Sequence, residues 1–137
     1  MTTTGRSWLR AFRWPVLWVA IWIAMIAAVA ASSLLPAHDL PEVPDGFDKV
    51  EHFVGYLLLS LWAAMLFAHR RGQALAAAAL IALGVALEFA QGAWTVSRVA
   101  DSADALANSL GVLAGLMLGA TPIGRGLQCV EATFRRR

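Results

Sequence analysis

The 137 residues predict an all-α integral membrane bundle of four transmembrane helices, and three observations carry that expectation. Hydrophobic residues make up 59% of the chain and charged residues only 15%, where an ordinary soluble domain carries about 25% charged. Four apolar runs approach the roughly 20 residues that a helix needs to cross a hydrocarbon core. No run shows the roughly ten-residue alternation of a barrel strand, and a backbone in lipid otherwise satisfies its own hydrogen bonds only as a helix. The length fits a single domain over residues 1–137.

The first helix is expected at about 15–35, where Val16 to Leu35 follow Arg6, Arg10 and Arg13 and stop at Pro36. Ala28-Val29-Ala30 resembles a signal-peptide cleavage site, but the apolar run continues past it, which favours an uncleaved helix. The second helix is expected at about 50–68, entered through Asp48, Lys49, Glu51 and His52. The third, at about 74–94, is interrupted late by Glu88 and Gln91; the fourth, at about 101–120, contains Asp104 and Asn108. The tail, 122–137, reads as a basic segment attracted to anionic lipid. A lone cysteine, Cys129, excludes an intramolecular disulfide and a cysteine-based zinc site. No cofactor, metal or nucleic-acid partner is expected.

The net charge of +2 hides a strong asymmetry. With alternate loops on opposite sides, one side holds Arg6, Arg10, Arg13, Arg70, Arg71, Arg125, Arg135, Arg136 and Arg137, and the other only Lys49 and Arg98. By the positive-inside rule both termini are expected in the cytoplasm. The acids divide the other way: only Glu131 falls on the arginine side. Trp8, Trp14 and Trp94 suit interfacial anchoring.

Three of the expected helices carry polar residues near the outer side. Asp48, His52 and Tyr56 are spaced i, i+4, i+8 and share a face, as do Gly84, Glu88 and Gln91. On the fourth helix Asp101, Asp104, Asn108, Gly111 and Gly115 form a stripe, with Arg98 just before it. At 1.5 Å per residue, Glu88 lies roughly 9 Å inward of Trp94, Asn108 roughly 10 Å inward of Asp101, and Tyr56 roughly 12 Å inward of Asp48. Ionisable groups at such depth are costly and usually face a bundle interior or a wet cavity. A shared pocket among the second, third and fourth helices is therefore expected. Gly111, Gly115 and Gly119 form GxxxGxxxG, a close-packing face that could serve helices of one chain or an oligomer.

These residues carry a resemblance. Asp48-Lys49-x-x-His52-Phe53-x-x-Tyr56 resembles the second-helix signature of the VanZ-like family. Glu88-x-x-Gln91, then Arg98, then Asp104-x-x-x-Asn108-x-x-Gly111-x-x-x-Gly115 resembles the rest of that pattern in order and spacing. It covers about residues 15–120, although the first helix contributes no motif. The resemblance implies a multi-pass protein of the bacterial cytoplasmic membrane, in a family whose namesake is associated with low-level resistance to teicoplanin, a lipoglycopeptide directed at cell-wall precursors.

Read residue by residue, Glu88 and His52 are the candidate acid–base groups, with a structural ion pair as the alternative for Glu88 and a helix-face hydrogen bond to Asp48 or Tyr56 for His52. Arg98 is a candidate anion ligand, or the partner of Asp101 or Asp104. Asp48 reads first as a helix-start acid and Lys49 as a headgroup anchor. Asp104 and Asn108 could orient a ligand or bond between helices; Tyr56 and Gln91 read as packing and supporting groups. Three functions follow. The first is recognition of an anionic lipid, a lipid-linked cell-wall precursor or a lipoglycopeptide. The second is intramembrane hydrolysis or transfer by Glu88 and His52, without any HExxH or GxSxG motif to support it. The third is proton-coupled transport, with no inverted repeat visible.

Overall fold

The computed structural model describes residues 7–35, 47–94 and 101–134. Helix α1, Pro15–Leu34, starts on a proline, which lacks the N–H that a first-turn residue could not pair in any case. Its sequence is apolar on every face, and only Trp18 and Ser33 are buried. Helices α2 (Phe47–Leu66), α3 (Arg70–Trp94) and α4 (Ser102–Gly119) follow, then a short 3-10 turn at Pro122–Arg125 and α5 (Gly126–Phe134). The first four are long and apolar enough to cross a membrane. Helices α2 and α3 begin three to four residues earlier than expected, at Phe47 and Arg70.

Two ends are distinguished by charge. The acidic end holds the start of α2, the late part of α3 and the start of α4. The basic end holds the start of α1, the turn from α2 into α3, and α5. The closest helix pairing, α2 with α4, runs between them. It is set by the glycine stripe. A Cβ on Gly111 would strike the Phe53 carbonyl, one on Gly115 the Leu57 carbonyl, and one on Gly119 the Ala64 side chain. The stripe that the sequence also offers as an oligomer face is thus spent on α2 of the same chain. Ser60 Oγ donates to the Val112 carbonyl at 2.7 Å inside this contact, which satisfies a hydroxyl where no water competes.

Helix α1 docks through tryptophans. Trp22 Nε1 donates to the Leu59 carbonyl at 3.0 Å, and Trp62 of α2 donates to the Trp18 carbonyl at 3.2 Å. Tyr56, Leu59, Ala77, Leu80 and Val112 form the core towards the acidic end. Trp18, Leu66 and Leu127 form a second core towards the basic end. Leu127 comes from the region read as a surface tail, so α5 is part of the bundle. Residues 8–10 run antiparallel to the end of α2, with Arg10 N–H on the Leu66 carbonyl and Ala68 N–H on the Trp8 carbonyl, both at 2.9 Å.

Candidate functional site

The acidic end is assembled from helix starts. Asp48 sits in the first turn of α2, where a negative charge complements the helix dipole. Asp101 is the N-cap of α4 and accepts the Ala103 N–H at 2.9 Å. Between them lies Lys49. Its ammonium is 3.1 Å from Asp48 Oδ2, 3.0 Å from Asp101 Oδ2 and 3.1 Å from Asp104 Oδ1. A residue expected to reach for lipid headgroups instead ties α2 to α4, because three carboxylates offer it stronger partners than a solvated interface does. The Ala103 N–H, with the Lys49 ammonium second, holds the Asp101 carboxyl below the ordinary carboxylate range.

One turn further in, His52 Nδ1 lies 3.1 Å from Asn108 Oδ1, and Nε2 lies 3.8 Å from Asp104 Oδ2. With the hydrogen on Nδ1, the ring donates to Asn108; on protonation it gains a second donor facing Asp104. The partners proposed from helix spacing, Asp48 and Tyr56, are not those used: the shared α2 face is turned towards α4. Gly84 of α3 makes room for the arrangement, since a Cβ there would come within 3.1 Å of Asn108 Cβ and 3.3 Å of Tyr56 Cε1.

The α3 residues have supporting contacts. Glu88, 6% exposed, accepts the Asp101 backbone N–H at 3.0 Å and so positions the start of α4. Gln91, buried, donates to the Ser33 carbonyl at 2.6 Å and fastens the end of α1 to α3. Among the described residues, Glu88 and His52 share no direct hydrogen bond. Tyr56 is buried in the core, yet its hydroxyl has no hydrogen-bond partner among the described residues. It lines a cavity of about 140 Å³ between α1 and α2, with Ser32, Ser33, Glu51, His52 and Gly55.

Asp48, Lys49, His52, Asp104 and Asn108 are thus brought together, with Glu88 joined to them through Asp101. Tyr56 lies deeper, and Gln91 faces α1. Arg98 lies outside the described residues. Lys49 and His52 of α2 bond to Asp101, Asp104 and Asn108 at the start of α4, and the cavity that reaches His52 is lined by α1 and α2. Asp101, Ser33 and Glu51 gain roles that spacing did not assign. Asp101 had a legible signal as the polar residue before an apolar run. Ser33 and Glu51 had none, because their relevance depends on α1 lying beside α2. Compared with protein-family models, curated proteins and solved structures, the chain gives no match.

Proposed function

We propose that this multi-pass membrane protein is a VanZ-like protein of the bacterial cytoplasmic membrane. In this reading both termini are cytoplasmic and the acidic end faces outward. Its polar end holds the head of a membrane-borne ligand, a lipid-linked cell-wall precursor or a lipoglycopeptide such as teicoplanin, and so contributes to resistance. The observation that carries the reading is the gathering of His52, Asp104, Asn108 and Lys49 at one end of an apolar bundle, beside a cavity that His52 and Tyr56 help to line. Polar groups cost too much within a membrane segment to collect there without a structural or binding return. Carboxylates outnumber cations among the described residues of the cluster, which favours contacts to hydroxyl and amino groups of the ligand head. Arg98 would supply the contact to a phosphate. Glu88, turned to the Asp101 N–H, supports the scaffold better than it supports hydrolysis with His52.

The test is retention and protection together. Wild-type, Asn108→Ala and Leu106→Ala proteins, the last altered on an exposed face of α4, are purified in mild detergent. They are then titrated with a polyprenyl phosphate carrier lipid and with teicoplanin under native mass spectrometry. Binding of either probe to wild type and Leu106→Ala, weakened about tenfold in Asn108→Ala, is the expected outcome, one lost hydrogen bond to a polar head being worth about that factor. Absence of both complexes, with unchanged teicoplanin susceptibility of cells expressing the protein, would sink the reading.

A further inference from the structure

A second polar site lies at the opposite end of the bundle. A cavity of about 730 Å³ opens between the N-terminal segment, the start of α3 and the end of α4, and Arg10, Arg70, Arg125, Gln73 and Thr121 are among its lining residues. Its three arginines come from three separate parts of the chain. Among the described residues no carboxylate lines the cavity, and none of the three arginines is in an ion pair. Glu131, the acid of this end, is committed elsewhere, to the N–H groups at the start of α1.

Arg10 is held rather than free. Its backbone pairs with the end of α2, and its Nη2 donates to the Ala64 carbonyl at 3.3 Å. Its Nε is buried and without a hydrogen-bond partner among the described residues. A buried guanidinium N–H left unpaired costs free energy, and an anion reaching it would recover that cost. Arg70 and Arg125 are exposed and line other sides of the cavity with forked donors. Several guanidinium groups converging without a carboxylate suit a phosphate, which can accept from each of them. The volume has room for a substituted phosphate as well as the free ion.

We propose that this cavity is a binding site for a phosphate-bearing anion, seated on Arg10 and closed by Arg70 and Arg125, and distinct from the acidic end. The same chemistry is offered by an anionic phospholipid head or by a soluble phosphate. A general attraction of basic ends to anionic membranes predicts something else: any arginine removed from that end would weaken binding equally. Arg71 separates the two cases, since it is exposed, adjacent to Arg70 and not part of the lining.

The full-length chain is purified in mild neutral detergent and titrated with phosphatidylglycerol, phosphatidylcholine and, separately, inorganic phosphate, by native mass spectrometry and thermal melting. The expected result is one phosphatidylglycerol per chain, absent with phosphatidylcholine, weakened about tenfold by Arg125→Gln and by Arg10→Gln, and unchanged by Arg71→Gln, since a charge-assisted bond to phosphate is worth about that factor or more. Displacement of the lipid by inorganic phosphate identifies the phosphate itself as the recognised group and a soluble ligand as its source. Lipid binding that phosphate does not displace identifies the lipid head. If Arg10→Gln fails to fold, Arg125→Gln, an exposed position, decides. Equal loss in Arg71→Gln, or no anion bound at all, overturns the proposal.

Discussion

At the acidic end one ammonium is shared by three carboxylates, Asp48, Asp101 and Asp104; at the basic end one carboxylate is shared by three N–H groups. Glu131 accepts from the backbone of Arg13 at 2.8 Å, from the backbone of Trp14 at 3.0 Å and from Trp18 Nε1 at 2.7 Å. Helix α1 has no side-chain cap of its own at Trp14, so the cap is delivered from α5. Both devices tie distant parts of the chain, but they differ physically. Lys49 works by charge against charge and leaves negative charge over. Glu131 works chiefly by hydrogen bonds to neutral donors, with the Arg13 charge a weaker aid, and leaves Arg10, Arg70 and Arg125 outside any ion pair among the described residues. Burial opposes ionisation of Glu131, but its bonds from Arg13, Trp18 and Trp14 together hold it below the ordinary carboxylate range. The lesson is that the two ends differ in which sign of charge remains available to a ligand.

The largest expected effect breaks both ends together. Gly115→Leu drives a side chain into the α2 backbone at Leu57 and Leu61. Overpacking of this kind costs about 3 kcal/mol or more where backbone has to move. Little monodisperse protein should be recovered by size exclusion in detergent; a normal yield and melting temperature would show that α2 and α4 are not held at this distance.

A smaller effect isolates the acidic end. Asn108→Ala removes the partner of His52 from a side chain only 2% exposed, at an expected cost of about 1–3 kcal/mol. A double-mutant cycle with His52→Ala should return a coupling of about 1 kcal/mol. Additive effects would separate His52 from Asn108.

The smallest effects sharpen the contrast itself. Glu131→Ala should cost about 1 kcal/mol, the usual worth of a helix cap, with little dependence on salt. Lys49→Met should lower the melting temperature by an amount that shrinks as salt is added, because half-exposed charges are screened. Equal salt dependence would erase the distinction. Acid provides a second handle. Asp101 and Glu131 both have folded pKa values lowered by their partners. Their contribution is therefore complete above the unfolded value of about 4 and is lost as pH falls below it. The melting temperature should hold from pH 7 to about 5 and fall below about 4, and fall less in Glu131→Gln. A rise on acidification would mean that repulsion among the carboxylates outweighs their bonds.

Much of this was legible along the chain. Apolar run length is a local quantity, so four spans could be placed to within a few residues. Helical period places Asp104 and Asn108 with the glycines, and that stripe does meet α2. Period does not say which helix lies opposite, and there the expectations diverge from the molecule. Spacing pairs His52 with residues of its own helix, whereas it bonds to α4. Its place at a helix start points Lys49 to the interface, whereas it bonds across 52 and 55 residues of sequence. The tail reads as a basic segment attracted to anionic lipid, and its Glu131 caps the helix that starts after Trp14, 117 residues away.

By itself, then, the order of residues determined an all-helical membrane chain, the segregation of acids and arginines to alternate loops, and the polar and small faces of each helix, because burial in lipid and the 3.6-residue repeat act within a single segment. Tertiary structure alone decided who meets whom. It placed α2 against α4 through glycines that permit backbone contact, gathered three acids onto Lys49, lent Glu131 to α1, and left Arg10, Arg70 and Arg125 around one cavity. Those outcomes depend on how helices far apart in sequence are oriented in space, and no local pattern encodes that.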